Sequence, residues 1–490
     1  MKLAIEYLSP TPFMTFQTRG GTYMADANGI IKNVASRDGP DLFAAGCVPY
    51  ASGIPAAPIP VFCGIGDSLM ARNSSVGGTS VQTNAWGFLV QSRALLGGRF
   101  DFPIANNFGV AGTTTNLILR DQLPQALANG AGWCCVEGGV NDSVVGSTAS
   151  AAAPITPAQT IANLYACYTA LITAGIKVLA IPIGPRSASQ WSPLTGSLIT
   201  QARLANYQVN HAIRQFALTA PVGMFYVADT DYAVADNTSA TGDWLTAATV
   251  EGLHPNGYGA MLMAQAVYNT LNPALPSLNR SVFSQADAWD PVYNPYGNRI
   301  PVLGQQIGSG GTASTGASGS FTTGMTGLRQ VGSSLTITGS KIARPNSNTG
   351  AVMQRLTLGG GTGGATTERA LYYSNFTDSV ALGNPGDTIT ASMEITATSL
   401  VNVQNIGVII EDLSTGGAYS YALNGTAIQG DRVLPSYSAV LQTPPQVIGA
   451  ASASTTLRLW LAIDAECDLA GVSGTVDVGC MNLSLALPTS

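Results

Sequence analysis

Between residues 59 and 280, short apolar runs alternate with longer stretches whose apolar residues recur at helical spacing. This is the pattern of a parallel sheet covered by helices on both faces. The runs predict strands at Val61–Gly66, Phe100–Val110, Trp133–Val140, Lys177–Gly184 and Met224–Thr230, each apolar enough to be buried on both sides. Thr156, Pro157 and Gln159 read as a capping box with proline in the first turn, Ile161, Leu164, Tyr165, Tyr168 and Ile172 share one face, and Gly175 closes that helix. From 333 to 490 the pattern becomes strand-like alternation, in SSLTITG, DTITASMEITATS, QNIGVIIED, TLRLWLAID and GTVDVGCMNLSLAL. Rich in Thr, Val and Ile and spaced by turn residues, these segments predict an antiparallel β-sandwich. The intervening 281–332, with its tract GQQIGSGGTASTGASGSFTTG, has too few apolar residues to fold alone and reads as a linker. Residues 1–58 form a small N-terminal module, too short for an independent core, that leads through the proline-rich SGIPAAPIP into the first strand.

Charged residues make up only 10% of the chain, against ~25% in ordinary globular domains, and glycine accounts for 56 of its 490 residues. Both point to short strands, many turns and a weakly charged surface. A net charge of −6 leaves no electrostatic footprint for nucleic acid or an anionic membrane. No stretch approaches the ~20 apolar residues of a membrane span, and MKLAIEYLSPTPFMTF lacks the apolar core of a signal peptide, so the expectation is a soluble chain that is not classically secreted. The seven cysteines are an odd number, several lie in apolar runs, and none has zinc spacing; buried thiols are expected, with no metal and no cofactor.

Four short blocks carry the chemistry. Gly64-Ile65-Gly66-Asp67-Ser68-Leu69 places a serine at the end of the first strand, where open α/β sheets build their sites. Asn107-Phe108-Gly109-Val110-Ala111-Gly112-Thr113 and Gly138-Gly139-Val140-Asn141-Asp142 follow the second and third strands and offer a closely approaching backbone and an amide side chain. Glu251-Gly252-Leu253-His254-Pro255-Asn256 leads into an apolar helix. Of the two histidines, His211 lies within a helical stretch and reads as structural, whereas His254 occupies a loop beside an acid. Together these types suffice for acyl transfer. Ser68 would be the nucleophile and His254 the base, with Glu251 fixing the imidazole and the Ser68 amide, Gly112 amide and Asn141 side chain binding the oxyanion. Asp67 and Asp142 would support them.

The order and spacing of the blocks resemble the SGNH, or GDSL-type, hydrolase family. That resemblance implies a flavodoxin-like three-layer domain, Ser68 and His254 in the roles above, Gly112 and Asn141 completing the oxyanion hole, and cleavage of acetyl esters on sugars or of short acyl esters. The family usually carries aspartate three residues before the histidine, and Glu251 departs from this; Asp229, Asp231, Asp236 and Asp243 are alternative third members. The leader and the glycine-rich tract resemble segments of tailed-phage virion proteins. This implies a virion or prophage tail component released by lysis, its sandwich similar to carbohydrate-binding jelly rolls and its aromatics (Tyr372, Tyr373, Phe376, Tyr419, Tyr421, Tyr437, Trp460) either core or glycan-facing. The expected partner is an acetylated glycan or another acyl ester, the location virion, extracellular after lysis, or otherwise cytoplasmic. A homo-oligomeric or virion assembly and a monomer both stay open. A short-chain esterase or lipase, and a receptor-binding virion protein without activity, are the alternatives.

Overall fold

The structure, a computed structural model, describes residues 59–77, 80–144, 155–276, 306–345, 351–361, 367–376, 385–413, 418–424, 431–449, 457–468 and 471–485 apart from position 193. It also describes 297–300, 363 and short stretches of the first 50 residues (5–8, 14–18, 21–25, 30–34, 42 and 48–50). In the N-terminal module, β1 (Ile5–Leu8) pairs antiparallel with β4 (Ile30–Val34) and β5 (Val48–Tyr50), and β2 (Thr15–Gln17) pairs with β3 (Thr22–Met24). Phe16, Ala25, Ile31 and Leu42 are buried together there, a cluster separate from the main core.

The α/β domain is built on a parallel sheet ordered β11-β10-β9-β6, made of β6 (Phe62–Ile65), β9 (Trp133–Glu137), β10 (Lys177–Ile181) and β11 (Phe225–Val227). All five residues of β9 are buried, as an apolar strand covered on both faces requires. Its helices are α1 (Ser68–Ala71), α2 (Phe88–Leu95), α3 (Leu123–Ala128), α4 (Pro157–Thr173), α5 (Ser197–Thr219), α6 (Thr230–Val234) and α7 (Gly257–Leu271). Thr156 caps α4 by accepting from the Gln159 N–H at 3.2 Å. The expected strand at Phe100–Val110 does not form. Pro103, which has no N–H to give a ladder, starts a 3-10 turn at Ile104–Asn106, and only isolated parallel bridges at Asp101 and Asn107 tie the segment to β6. His211 is exposed on α5 rather than packed inside. The six cysteines at 63, 134, 135, 167, 467 and 480 are buried and form no disulfide among the described residues, and Cys47 lies outside the described residues.

The C-terminal region is all β. Its larger sheet runs in the order β12-β14-β17-β23-β19-β20-β8-β7, and its smaller one β13-β15-β16-β24-β18-β21 with β22 on β18. The larger one holds β12 (Thr312–Ala313), β14 (Thr326–Val331), β17 (Glu368–Phe376), β19 (Val403–Asp412), β20 (Ala418–Asn424) and β23 (Leu457–Ala465). The smaller holds β13 (Ala317–Gly319), β15 (Thr336–Ala343), β16 (Val352–Gly360), β18 (Thr388–Val401), β21 (Tyr437–Gln442), β22 (Gln446–Val447) and β24 (Val472–Leu485). Leu356, Ile395 and Val476 of one and Val408 and Leu461 of the other share a core.

Two features depart from the sequence reading. The stretch read as linker at 281–332 contains β12, β13 and β14, whose polar residues are recruited by ready-made neighbouring strands. And β7 (Ser74–Gly77) with β8 (Ser80–Asn84), a hairpin between α1 and α2, is built into the larger sheet, β8 running parallel to β20. The sandwich is thereby joined to the α/β domain directly beside Ser68. Tyr372 is core, whereas Tyr373, Trp460 and Tyr421 stand with Ile409 in one register row across four strands and are half-buried against Leu371, Ile409 and Ala462; the Phe376 side chain lies outside the described residues. Among the described residues no helix is long and apolar enough to cross a membrane.

Candidate active site

Ser68 opens α1 directly past β6, which presents its side chain at the carboxyl end of the parallel sheet. The turn into the helix is tight enough to demand glycine: a Cβ on Gly66 would sit 2.6 Å from the Glu137 carbonyl oxygen and 2.9 Å from Met70 Cβ. Gln122 holds both backbone polar groups of Gly66, accepting from its N–H at 2.7 Å and donating to its carbonyl at 2.9 Å. At the other end of α1, Asn73 and Asn107 each donate to the Met70 carbonyl, at 3.0 and 3.1 Å.

His254 lies in the loop before α7, where Thr249 Oγ1 donates to its carbonyl at 2.8 Å and the Ser187 N–H donates to the Gly252 carbonyl at 2.8 Å. The imidazole Nε2 stands 2.8 Å from Ser68 Oγ, and Nδ1 is hydrogen-bonded to Glu251 Oε1. This pattern assigns the proton to Nδ1 and leaves Nε2 to accept from the serine hydroxyl. Burial pushes the His254 pKa below the usual imidazole value; the Glu251 bond opposes this, and the positive charges of Arg72 and Arg186 add to it. Near neutral pH the ring is therefore uncharged and able to take a proton. The alternative acids are engaged elsewhere: Asp229 and Asp231 pair with Arg214 at 2.8 and 2.7 Å, Asp243 pairs with Arg203 at 2.6 Å, and Asp236 accepts from the Thr238 N–H at 2.9 Å.

The two remaining blocks converge on the same point. Thr113 Oγ1 and the Val110 N–H both donate to the Gly66 carbonyl at 3.1 Å, which seats the Gly112 turn against the backbone leading into Ser68. Asn141 Nδ2 donates to the Thr113 carbonyl at 3.0 Å, using one amide hydrogen and leaving the other. Neither the Ser68 nor the Gly112 N–H has a protein acceptor among the described residues. Gly139 precedes Asn141 at φ 109, a backbone that a side chain would strain. Asp142 is buried and accepts from the Thr115 N–H at 2.9 Å, from Thr160 Oγ1 at 2.7 Å and from Thr115 Oγ1, fastening the Asn141 turn to two helical segments.

Several contributors escaped the sequence reading. Arg186 is buried and donates to the carbonyls of Val140 and Gln190 at 2.7 and 2.8 Å, and Gln190 Nε2 in turn donates to the Glu251 carbonyl at 2.9 Å. One network thus braces the Asn141 and Glu251 loops. Under Ser68 lies a buried pair of acids. The Asp67 N–H donates to Glu137 Oε2 at 3.1 Å, Asp67 Oδ1 accepts from the Leu69 N–H at 3.1 Å, and Asp67 Oδ2 has no partner among the described residues. Burial pushes the Asp67 carboxyl up to about 6, partly offset by its hydrogen bonds, and burial with the Asp67 charge pushes Glu137 well above the carboxylate range. A carboxyl whose folded pKa is raised contributes stability that is full below its unfolded value and is lost as pH rises through the folded one. For Asp67 that window runs from 3.8 to about 6. Glu137→Gln removes one ionising partner, so the fall in Tm between pH 5 and pH 8 should shrink in the variant, as read by calorimetry. An equal fall in both proteins would disprove the coupling.

The model of the GDSL-like lipase/acylhydrolase family matches residues 65–262. Among solved structures, the chain is similar to a GDSL-like lipase from Bacteroides thetaiotaomicron, at 14% identity and a TM-score of 0.32, over 44% of this chain and 89% of that one. It is also similar to an acetylxylan esterase from Geobacillus stearothermophilus, at 14% identity and a TM-score of 0.32, over 43% of this chain and 93% of that one. No curated protein sequence matches. Residues 65–262, which carry the convergent blocks, are thus similar to the GDSL-like lipase/acylhydrolase family.

Proposed function

We propose that the chain is a serine esterase that removes acetyl groups from bacterial surface polysaccharide. The observation that carries this reading is the relay Ser68 Oγ, His254 Nε2 and Nδ1, Glu251 Oε1 at the carboxyl end of the sheet. His254 takes the Ser68 proton as Oγ attacks the acetyl carbon. The Ser68 and Gly112 amides and the free Asn141 hydrogen receive the oxyanion. The sugar hydroxyl leaves with the proton from His254, and a water deprotonated by the same ring then splits the acetyl-serine to acetate.

A glycan rather than a lipid is favoured by the half-buried surface row Tyr373, Trp460 and Tyr421, because aromatic faces suit the apolar faces of pyranose rings. We further propose that the jelly-roll-like sandwich holds the polymer, and that the protein works as a phage or prophage tail component, on the likeness of its leader to such proteins. The wild-type chain is expected to hydrolyse p-nitrophenyl acetate and to release acetate from acetylated xylan and capsular polysaccharide, with little turnover of long-chain acyl esters. Preference for long acyl chains would favour a lipase, and inactivity on all of these would leave a binding protein.

A further inference from the structure

Arg72 caps the C-terminal end of α1, one helical turn past Ser68. Its guanidinium lies over the Trp86 ring, 5.9 Å from the centroid, and its charge acts on both His254 and Glu251. Stacking occupies the face of a guanidinium and leaves the N–H donors around its edge unspent. Among the described residues, none of these donors has a hydrogen-bond or ion-pair partner, although the side chain is half-buried. Other arginines of the fold have protein acceptors: Arg186 has two carbonyls, Arg203 has Asp243, Arg355 has Asp477 and Arg369 has Asp464.

The platform beneath Arg72 is fixed from the sandwich. Trp86 Nε1 donates to Asp431 Oδ2 at 3.0 Å, and Asp431 Oδ1 accepts from the Gly257 N–H at 2.6 Å and the Arg432 N–H at 2.9 Å. Asp431 is 2% exposed, so its carboxylate is committed to these bonds. The same group therefore steadies the indole under Arg72 and the first turn of α7, three residues after His254. Close to Ser68, Glu251 is engaged by His254, and Asp67 and Asp142 are buried away from the surface.

We propose that Arg72 is a substrate-binding residue that takes a carboxylate carried by the sugar bearing the acyl group or by its neighbour. The preferred substrate is then an O-acetylated acidic glycan, of uronic acid type. A carboxylate offers two charged oxygens to the edge of the guanidinium, whereas a neutral sugar offers it only uncharged hydroxyl acceptors, which make weaker bonds. The inference rests on the esterase reading.

The test has two arms. Acetate release from O-acetylated polygalacturonate and from O-acetylated glucomannan is compared for wild type, Arg72→Gln and Arg72→Lys. In Arg72→Gln the ratio of kcat/KM for the acidic over the neutral polymer should fall about 10- to 100-fold, chiefly through KM, with part of it restored in Arg72→Lys. In the second arm, a galacturonate oligosaccharide without esters is titrated calorimetrically into Ser68→Ala and Ser68→Ala/Arg72→Gln; binding to the first and loss in the second are expected. An unchanged ratio, or equal binding to both proteins, overturns the assignment. Turnover of the neutral polymer without any binding of galacturonate overturns Arg72 and leaves the esterase standing. Binding that depends on Arg72 without turnover of any ester keeps the anion site and removes the esterase reading.

Discussion

Ser68→Ala is expected to lower kcat on p-nitrophenyl acetate by on the order of 10^6, His254→Ala by about as much, and the double variant by no more than either alone. The reason is geometric. The Ser68 hydroxyl is a weak nucleophile until its proton is taken, and at 2.8 Å His254 Nε2 is the one base within reach among the described residues. Removing either member leaves the other without a task, so their costs do not add. The oxyanion donors survive both changes, which sets a residual rate above that of water. Folding should be nearly untouched, because among the described residues the only side-chain bond of Ser68 is the one to His254, and the thermal midpoint of Ser68→Ala should stay within a few degrees of wild type. Full additivity of the two losses would mean that the residues do not act as a unit.

The four blocks were legible because each combines a local conformational need with a polar group. Glycine is required at 66, where the helix presses on the β9 backbone, and at 139, where φ is 109, and both needs fall within a few residues of Ser68 or Asn141. The buried strands were legible for a similar reason. Trp133 and Lys177 begin β9 and β10 where the apolar runs begin, since a strand covered on both faces leaves polar residues only at its ends. Phe100–Val110 shows the limit of that rule, because an apolar run interrupted by proline satisfies burial without satisfying a ladder.

What stayed hidden is non-local. The hairpin β7–β8 has a serine- and glycine-rich sequence with little alternation, and the strand that makes it a strand, β20, follows more than 300 residues later. Nothing in the local sequence singles out Asp431, and only the fold brings it to Gly257 and Trp86. Glu137 lies inside the predicted strand Trp133–Val140 with no local sign of a partner, and only the fold brings the Asp67 N–H to its carboxylate. Domain boundaries drawn from composition separate the sandwich from the α/β domain, whereas the bonds at Asp431 and the β8–β20 pairing place the sandwich within the scaffold of the site.

Glu251→Ala should lower kcat/KM by on the order of 10^2–10^3, less than the ~10^4 that follows loss of a fully buried triad carboxylate. Glu251 holds Nδ1 and so fixes which nitrogen faces Ser68, and its negative charge offsets the imidazolium that forms during attack. Its side chain is 36% exposed, so water already screens part of that charge, and water can replace part of the hydrogen bond when the carboxylate is gone. The pH profile separates this role from a merely structural one. Catalysis needs neutral His254, so activity is lost as pH falls through the pKa of the ring, and in wild type that acid limb should lie below the ordinary value of 6.5. Glu251 raises this pKa while burial, Arg72 and Arg186 lower it, so Glu251→Ala should move the acid limb to still lower pH while the plateau falls. Glu251→Asp, one methylene shorter, should place the plateau between the two, because the carboxylate stays negative but no longer reaches Nδ1 from the same backbone. A plateau unchanged in Glu251→Ala would remove Glu251 from the relay; a lower plateau with a stationary acid limb would reduce it to a support for the loop.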